Sequence, residues 1–360
     1  MVTSILARYF AMRFVAASVA VFAGVFALII IVDYIELMRR AVSLSTVSAL
    51  FVAQTALFRV PLSLEKLMPF CIMIGAMSSY LTLSRRLELV VARAAGISAW
   101  QFIAPALVSA LALGALATTL YNPLSAELLE RAKVMESRIF STAAIREGAS
   151  FWLSQSTSEG QSVINAASSQ GQGALLGGVT VFRYDPSGNF RERIEARQAT
   201  LEPGQWVFRD VRRYMLDGPP ATEDRFTLRT TLTPAQIRNS FSTPETVSFW
   251  QLPDYIRSSE NSGQTTAGYR TQYHKLLARP FLLAAMVLLA AAVSLRFFRF
   301  GGVQKMVLSG VAAGFLLYVL SKLTEDLSKA ELMHPLAAAW LPVCVGGLTG
   351  FLALLYQEDG

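Results

Sequence analysis

The sequence predicts a polytopic α-helical membrane protein whose six spans, three and three, are separated by an inserted all-β, jelly-roll-like domain. Three observations carry this. Of the 360 residues, 53% are hydrophobic and only 16% charged. The apolar residues fall in blocks close to the roughly 18 needed to cross hydrocarbon, which a soluble core of this size does not require. Between the third block and the fourth lies a polar stretch, Tyr121–Arg270, patterned as strands.

The first block, Phe14–Val32, carries no charge. It is longer than the apolar core of a signal peptide and no small-residue cleavage site follows it, so it reads as an uncleaved anchor. Leu67–Leu83 and Trp100–Leu120 supply spans two and three. Phe281–Leu295 is short for a span and is expected to borrow Leu276–Ala278, with Arg279 snorkelling to the interface. Met306–Leu320 and Pro335–Tyr356 complete the set. The expected divisions are 1–122 for the first three spans, 123–270 for the β domain with helical flanks, and 271–360 for the last three.

Within the insert, Gly177–Asp185 alternates apolar and polar residues and runs into turn residues at Pro186–Asn189. Phe190–Leu216 gives two more strands about a turn at Pro203–Gly204. Phe182, Trp206 and Phe208 are its candidate apolar interior, and Glu192, Glu195 and Glu202 read as solvated faces. Many short strands without a long helix suit a sandwich or an open jelly roll. The flanks Leu124–Ile139 and Gly268–Pro280 read as helices.

Several function classes are excluded or weakened. The serines of the insert lack a His/Asp pairing. His274 and His334 are isolated, and Cys71 and Cys344 fall inside spans, so no metal site is expected. No Gly-x-x-x-x-Gly-Lys-Ser/Thr loop is present, so the chain has no ATPase site of its own and no cofactor is expected on it. The net charge of +7 is not gathered into a basic tract. Anionic lipid is therefore a better partner than nucleic acid. The spans hold few ionisable residues, which argues against a proton relay.

Two short stretches do not fit plain membrane anchoring. The first is SRRLELVVARAAGIS at Ser84–Ser98, too charged to span and too apolar to be a solvated loop. As a helix over Ser84–Gly96 it places Leu87, Val90, Val91 and Ala94 on one stripe, with Gly96 as its left-handed stop and Arg85 set to pair with Glu88. That stripe packs on lipid or its own bundle, or it docks into another protein. The second is the basic pair Arg39 and Arg40 at the end of the first span, which anchors at the interface or holds phosphate with its planar donors. Asp33 lies one helical turn and more before it, set to pair with Arg39 or a partner chain. Gly310 and Gly314, like Gly346 and Gly350, have the four-residue spacing that permits close helix approach, with Met68, Met73, Met77 and Met306 as packing filler. A sensor or scaffold whose β domain binds a ligand, or an ATP-driven permease for another substrate, remains open on these residues.

The stretch RRLELVVARAAGIS, together with ARYFAMRF near the start and AGYRTQYHKLLARP before span four, resembles the LptF/LptG lipopolysaccharide-export permease family. The resemblance runs over essentially the whole chain. The wording of the first stretch is nearer to LptG than to LptF. It implies that residues 84–96 form a coupling helix seated in a groove of a separate ABC ATPase dimer, which would carry ATP and Mg. Leu87, Val90 and Val91 would fill the groove and Glu88 would make a charged contact. It further implies a paired six-span permease, a single-span periplasmic bridge protein and a soluble one as partners, and lipopolysaccharide as substrate, with Arg39 and Arg40 on its phosphates. Spans one and five would line the gates, which brings Gly310 and Gly314 into play. The expected location is a Gram-negative inner membrane, with cytoplasmic termini and a periplasmic β domain that passes lipid on edge to edge. Asp33 departs from the family, some of whose members carry lysine there.

Overall fold

The computed structural model describes residues 2–41, 48–140, 151–157, 160–170, 175–215, 218–230, 243–261, 265–300 and 302–358. The chain forms two compact units, Met1–Lys133 with Pro244–Gly360, and Val134–Thr243.

Among the described residues, six helices are long and apolar enough to cross a membrane. Helix α1 (Val2–Ala41) is span one and α2 (Ala49–Arg85) span two, followed by the short α3 (Glu88–Ala94). Span three starts at α4 (Ala99–Leu116), passes through a π-helical turn at Ala117–Tyr121, and continues as α5 (Asn122–Phe140). A capping box fixes its start: Ser98 Oγ accepts from the Gln101 backbone N–H and Gln101 Oε1 from that of Ser98. After the insert come a 3₁₀ turn (Pro244–Thr246), α6 (Leu252–Asn261), and spans four to six as α7 (Ala267–Phe300), α8 (Val303–Lys329) and α9 (Pro335–Glu358). The helices outrun the apolar blocks that announce them, because their polar ends keep their backbone bonds within the helix.

A proline inside a span leaves a carbonyl without an N–H four residues on, and at two such prolines a threonine of a neighbouring helix supplies a donor. Pro280 orphans the Leu276 carbonyl, which accepts from Thr118 Oγ1 of the π turn at 2.9 Å. Pro342 orphans that of Ala338, which accepts from Thr324 Oγ1 of α8, also at 2.9 Å. Helix α7 runs through the packed centre, with Leu276, Leu283, Val287, Ala290 and Ala291 fully buried. Small residues let helices close up: Gly114 lies against the Pro280 backbone and Gly350 against that of Leu288 and Leu289, while Gly346 receives the Leu317 side chain.

In the second unit the jelly-roll-like insert is, over the described strands, one antiparallel sheet in the order β1-β2-β3-β4-β5-β6: Phe151–Thr157, Gly160–Gln170, Leu175–Tyr184, Phe190–Glu202, Gln205–Met215 and Ala221–Arg229. Strands that far apart in a flat sheet would be about 24 Å distant at ~4.8 Å per step. Yet Gln155 of β1 donates to the Arg229 carbonyl at the end of β6 at 3.1 Å and accepts from Thr230 Oγ1 at 2.5 Å. The sheet therefore curls until its edges meet at one end. A line of positions skipped by the pairing crosses it at Gly178, Arg197 and Asp210, with left-handed backbone at Gly178 and Asp210. Such kinks bend strands.

Trp206 and Phe208 lie in the sheet's core with Ile164, Leu176, Val181 and Ile194. Phe182 does not. It follows the inward Val181, so the two-residue alternation of a strand puts it on the other face, where it stacks on the exposed Trp152 at 6.4 Å. Glu192 is likewise no solvated carboxylate: it is buried and bound by Arg183 at 2.6 Å and Arg213 at 2.8 Å. The Pro186–Asn189 turn is clasped by Asp185, whose Oδ1 accepts from the backbone of Ser187 and Asn189.

Candidate functional site

The stretch between spans two and three is not the single helix over Ser84–Gly96 that its pattern predicts. Helix α2 ends at Arg85, and Leu87 turns left-handed (φ 62°) before α3 begins. The Leu87 carbonyl still accepts the first α3 bond, from Val91 N–H at 3.0 Å, so the three-and-four spacing of the stripe survives the break. At the other end Gly96 (φ 83°) closes a Schellman motif, with Ile97 N–H donating to the Ala92 carbonyl and Gly96 N–H to that of Arg93. A leucine held left-handed is a strain that its surroundings must maintain.

The short helix has two apolar faces. Leu89 (3% exposed) and Ala92 (6%) point into the chain's own bundle. Leu87 (61%), Val90 (42%) and Val91 (66%) are exposed, as is Ala94 beside them. The expected Arg85–Glu88 pair does not form, because the Leu87 turn takes the two residues off a common helix. Glu88 instead accepts from the Tyr9 hydroxyl at 2.9 Å, and that hydroxyl accepts from Arg13 Nε at 3.0 Å.

At the opposite end of α1, Arg39 and Arg40 stand exposed in the last turn. Both close on one carboxylate, Glu36. Arg39 reaches it at 2.9 and 3.1 Å through Nη2 and Nε, and Arg40 through Nε at 2.8 Å. Two cations on one acid leave a net positive rim. Asp33 pairs with Arg59 of α2 at 3.6 Å rather than with Arg39.

Gly310 and Gly314 face α2. A β-carbon on Gly310 would stand 2.5 Å from Met77 Sδ, and one on Gly314 2.5 Å from Met73 Cε. One face of α8 is bare: Val307, Leu308, Val311, Phe315 and Leu316 are exposed, as are Leu28, Ile31 and Ile35 of α1. Apolar faces of that extent on spanning helices suit lipid or a partner bundle.

Charge clusters where sequence reading found little. A cavity of about 340 Å³ opens among α2, α7 and α8, with Lys66, Lys275, Arg279, Lys322, Glu245 and Glu325 on its walls. Arg279 does not snorkel. It donates to the buried Glu65 at 2.5 Å, which also accepts from Asn122 at 2.9 Å and Ser125 at 2.6 Å. Glu325 binds Lys275 at 2.7 Å and Lys329 at 2.6 Å. Glu245, in the 3₁₀ turn after the insert, ties Lys66 of α2 to Lys329 of α8. One signal for this cluster was available: Glu65 is an acid beside an apolar block, and Arg279 a base inside an extended one.

Burial pushes the Glu245 carboxyl up, but the Lys66 hydrogen bond and the charges of Lys66 and Lys329 outweigh it and hold it below the ordinary glutamate range. A depressed carboxylate stabilises the fold above its unfolded pKa, and that contribution is lost as pH falls through the folded value. The wild-type chain is therefore expected to lose more thermal stability than Glu245→Gln on acidification below the usual glutamate pKa. Melting curves of both across that range check this, and parallel curves would refute it.

A family model described as "Lipopolysaccharide export system permease LptF/LptG" matches residues 8–356. Two curated relatives, the lipopolysaccharide export system permease proteins LptG of Escherichia coli strains K12 and O6:H1, are each 22% identical over 324 residues, covering 87% of this chain and 87% of theirs.

Proposed function

Because the chain belongs to the LptF/LptG family of lipopolysaccharide export system permeases, we propose that it is one permease subunit of an ATP-driven complex that extracts lipopolysaccharide from the inner membrane and hands it to a bridge of periplasmic β domains. The observation that carries the reading is α3. A seven-residue helix with one apolar face packed at home and another exposed needs a second partner, and Leu87, Val90 and Val91 are shaped to enter a groove. An ABC ATPase dimer is that partner, and ATP and Mg would reside on it. Glu88 has one carboxylate oxygen engaged by Tyr9, which leaves the other to receive a cation of the ATPase.

The remaining parts follow from placement. Arg39 and Arg40, anchored by Glu36 at the end of span one, would take the phosphates of the lipid headgroup, exchanging part of the Glu36 contact for a doubly charged ligand. The bare faces of α1 and α8 would line the lateral gates against a paired six-span permease. Gly310 and Gly314 meet α2 through methionine side chains, soft contacts over which one helix can shift on another. The β insert would join single-span and soluble bridge proteins through its edges. The relatives' names favour the LptG role over LptF, and the orientation follows: termini and α3 in the cytoplasm, the insert in the periplasm.

Glu88→Ala tests the docking role with purified components. Weaker assembly with the ATPase and a loss of substrate-stimulated hydrolysis are expected. Unchanged assembly together with unchanged hydrolysis would remove the basis of the reading. Mass spectrometry of the lipid retained on the purified complex tests the substrate.

A further inference from the structure

We infer that Tyr9 is a positioning residue that joins α3 to span one, so that α1, α2 and α3 move as one body when the ATPase acts on α3. The inference rests on the docking reading above and goes beyond it, because it names how a push on α3 reaches the far end of a different span.

Tyr9 and Arg13 lie one turn apart on α1. Arg13 Nε donates to the Tyr9 hydroxyl, its guanidinium sits 5.2 Å from the centre of the Tyr9 ring, and the hydroxyl donates to Glu88 Oε2. Arg13 thus fixes the direction of the hydroxyl proton toward the carboxylate. Two further ties bind α1 to α2, which leads into α3. Midway, the Gly75 backbone meets Ser18 so closely that a β-carbon there would stand 2.6 Å from Ser18 Cα. Near the other end Asp33 pairs with Arg59.

Helix α1 is continuous from Val2 to Ala41 and holds no proline. From Tyr9 to Arg39 it measures about 45 Å at 1.5 Å per residue. A rod tied once to α3 and twice to α2 cannot swing by itself, so displacement of α3 carries Arg39 and Arg40 with it. On its other side α2 touches α8 through Met73 and Met77 against glycines, a contact without ion pair or backbone clasp at that level. Motion driven from α3 would therefore appear between α1 and α8. Without the hydroxyl tie, α3 and α2 would shift while the near end of α1 lags.

The test uses the whole complex with its ATPase and paired permease, with spin labels at Met12 of α1 and Leu308 of α8, both exposed. The distance between them is read with and without trapped nucleotide, in wild type and in Tyr9→Phe, which keeps the ring and removes only the hydroxyl. Arg13→Leu serves as a second variant that leaves the hydroxyl unsupported. Tyr9→Phe is expected to keep wild-type melting and ATPase capture. Its nucleotide-dependent distance change should fall to less than half, and Arg13→Leu should fall in the same direction. A wild-type distance change in Tyr9→Phe overturns the linkage and leaves the docking reading standing. A wild-type chain that captures no ATPase overturns both.

Discussion

Arg279→Met is expected to destabilise the protein by about 3–5 kcal/mol, the usual consequence of removing one partner from a buried ion pair. The carboxylate left behind, Glu65, is 3% exposed. Asn122 and Ser125 would still donate to it, but neither carries charge. Methionine keeps the volume and the packing of the arginine stem, so the loss isolates the charge. The double variant Glu65→Met/Arg279→Met is expected to recover most of the loss, because replacing a whole buried pair by apolar residues is often neutral. Thermal unfolding in detergent of the wild type, both single variants and the double variant completes the cycle. An Arg279→Met variant that melts with the wild type would show that the pair contributes no net stability. The pair joins span two to span four, so its loss is also expected to loosen the cavity walled by Arg279.

The second large effect concerns α3. Val91→Asp is expected to leave folding untouched, since Val91 is 66% exposed, while weakening ATPase capture by at least about 100-fold. A carboxylate forced into an apolar groove without a partner costs a few kcal/mol, and about 2.7 kcal/mol is already a hundredfold in affinity. Titration of labelled ATPase against wild-type and variant complexes in detergent reads the ratio. Equal affinities would mean that the exposed stripe faces lipid and that some other surface meets the ATPase. Leu89→Asp provides the contrast. Its side chain packs into the chain's own bundle, so that change should lower the melting temperature as well as the affinity.

Much of this molecule was readable before any coordinates. The six spans follow from apolar blocks, and β3, β4 and β5 fall close to where alternation and turn residues put them. The stripe of Leu87, Val90 and Val91 emerges on one exposed side as its spacing predicts, and Gly96 takes the left-handed stop. Other features were misread for identifiable reasons. The helix over Ser84–Gly96 breaks at Leu87, a residue with no local tendency to turn. Phe182, being aromatic, reads as interior, although its register beside Val181 places it outside. Glu192 looked solvated because strand alternation says nothing about two arginines converging from β3 and β5.

Composition and periodicity are properties of neighbouring residues, so they suffice for what depends on neighbours: how many helices span, where strands alternate, and which residues form the exposed stripe of α3. Pairing between Glu65 and Arg279 spans 214 positions, and Tyr9 meets Glu88 across 79. Those contacts, the curl that brings β1 to β6, and the threonines that answer the prolines exist only once helices and strands have packed. A buried charge or an orphaned carbonyl takes whatever partner the tertiary arrangement brings within about 3 Å, and no local pattern names that partner in advance.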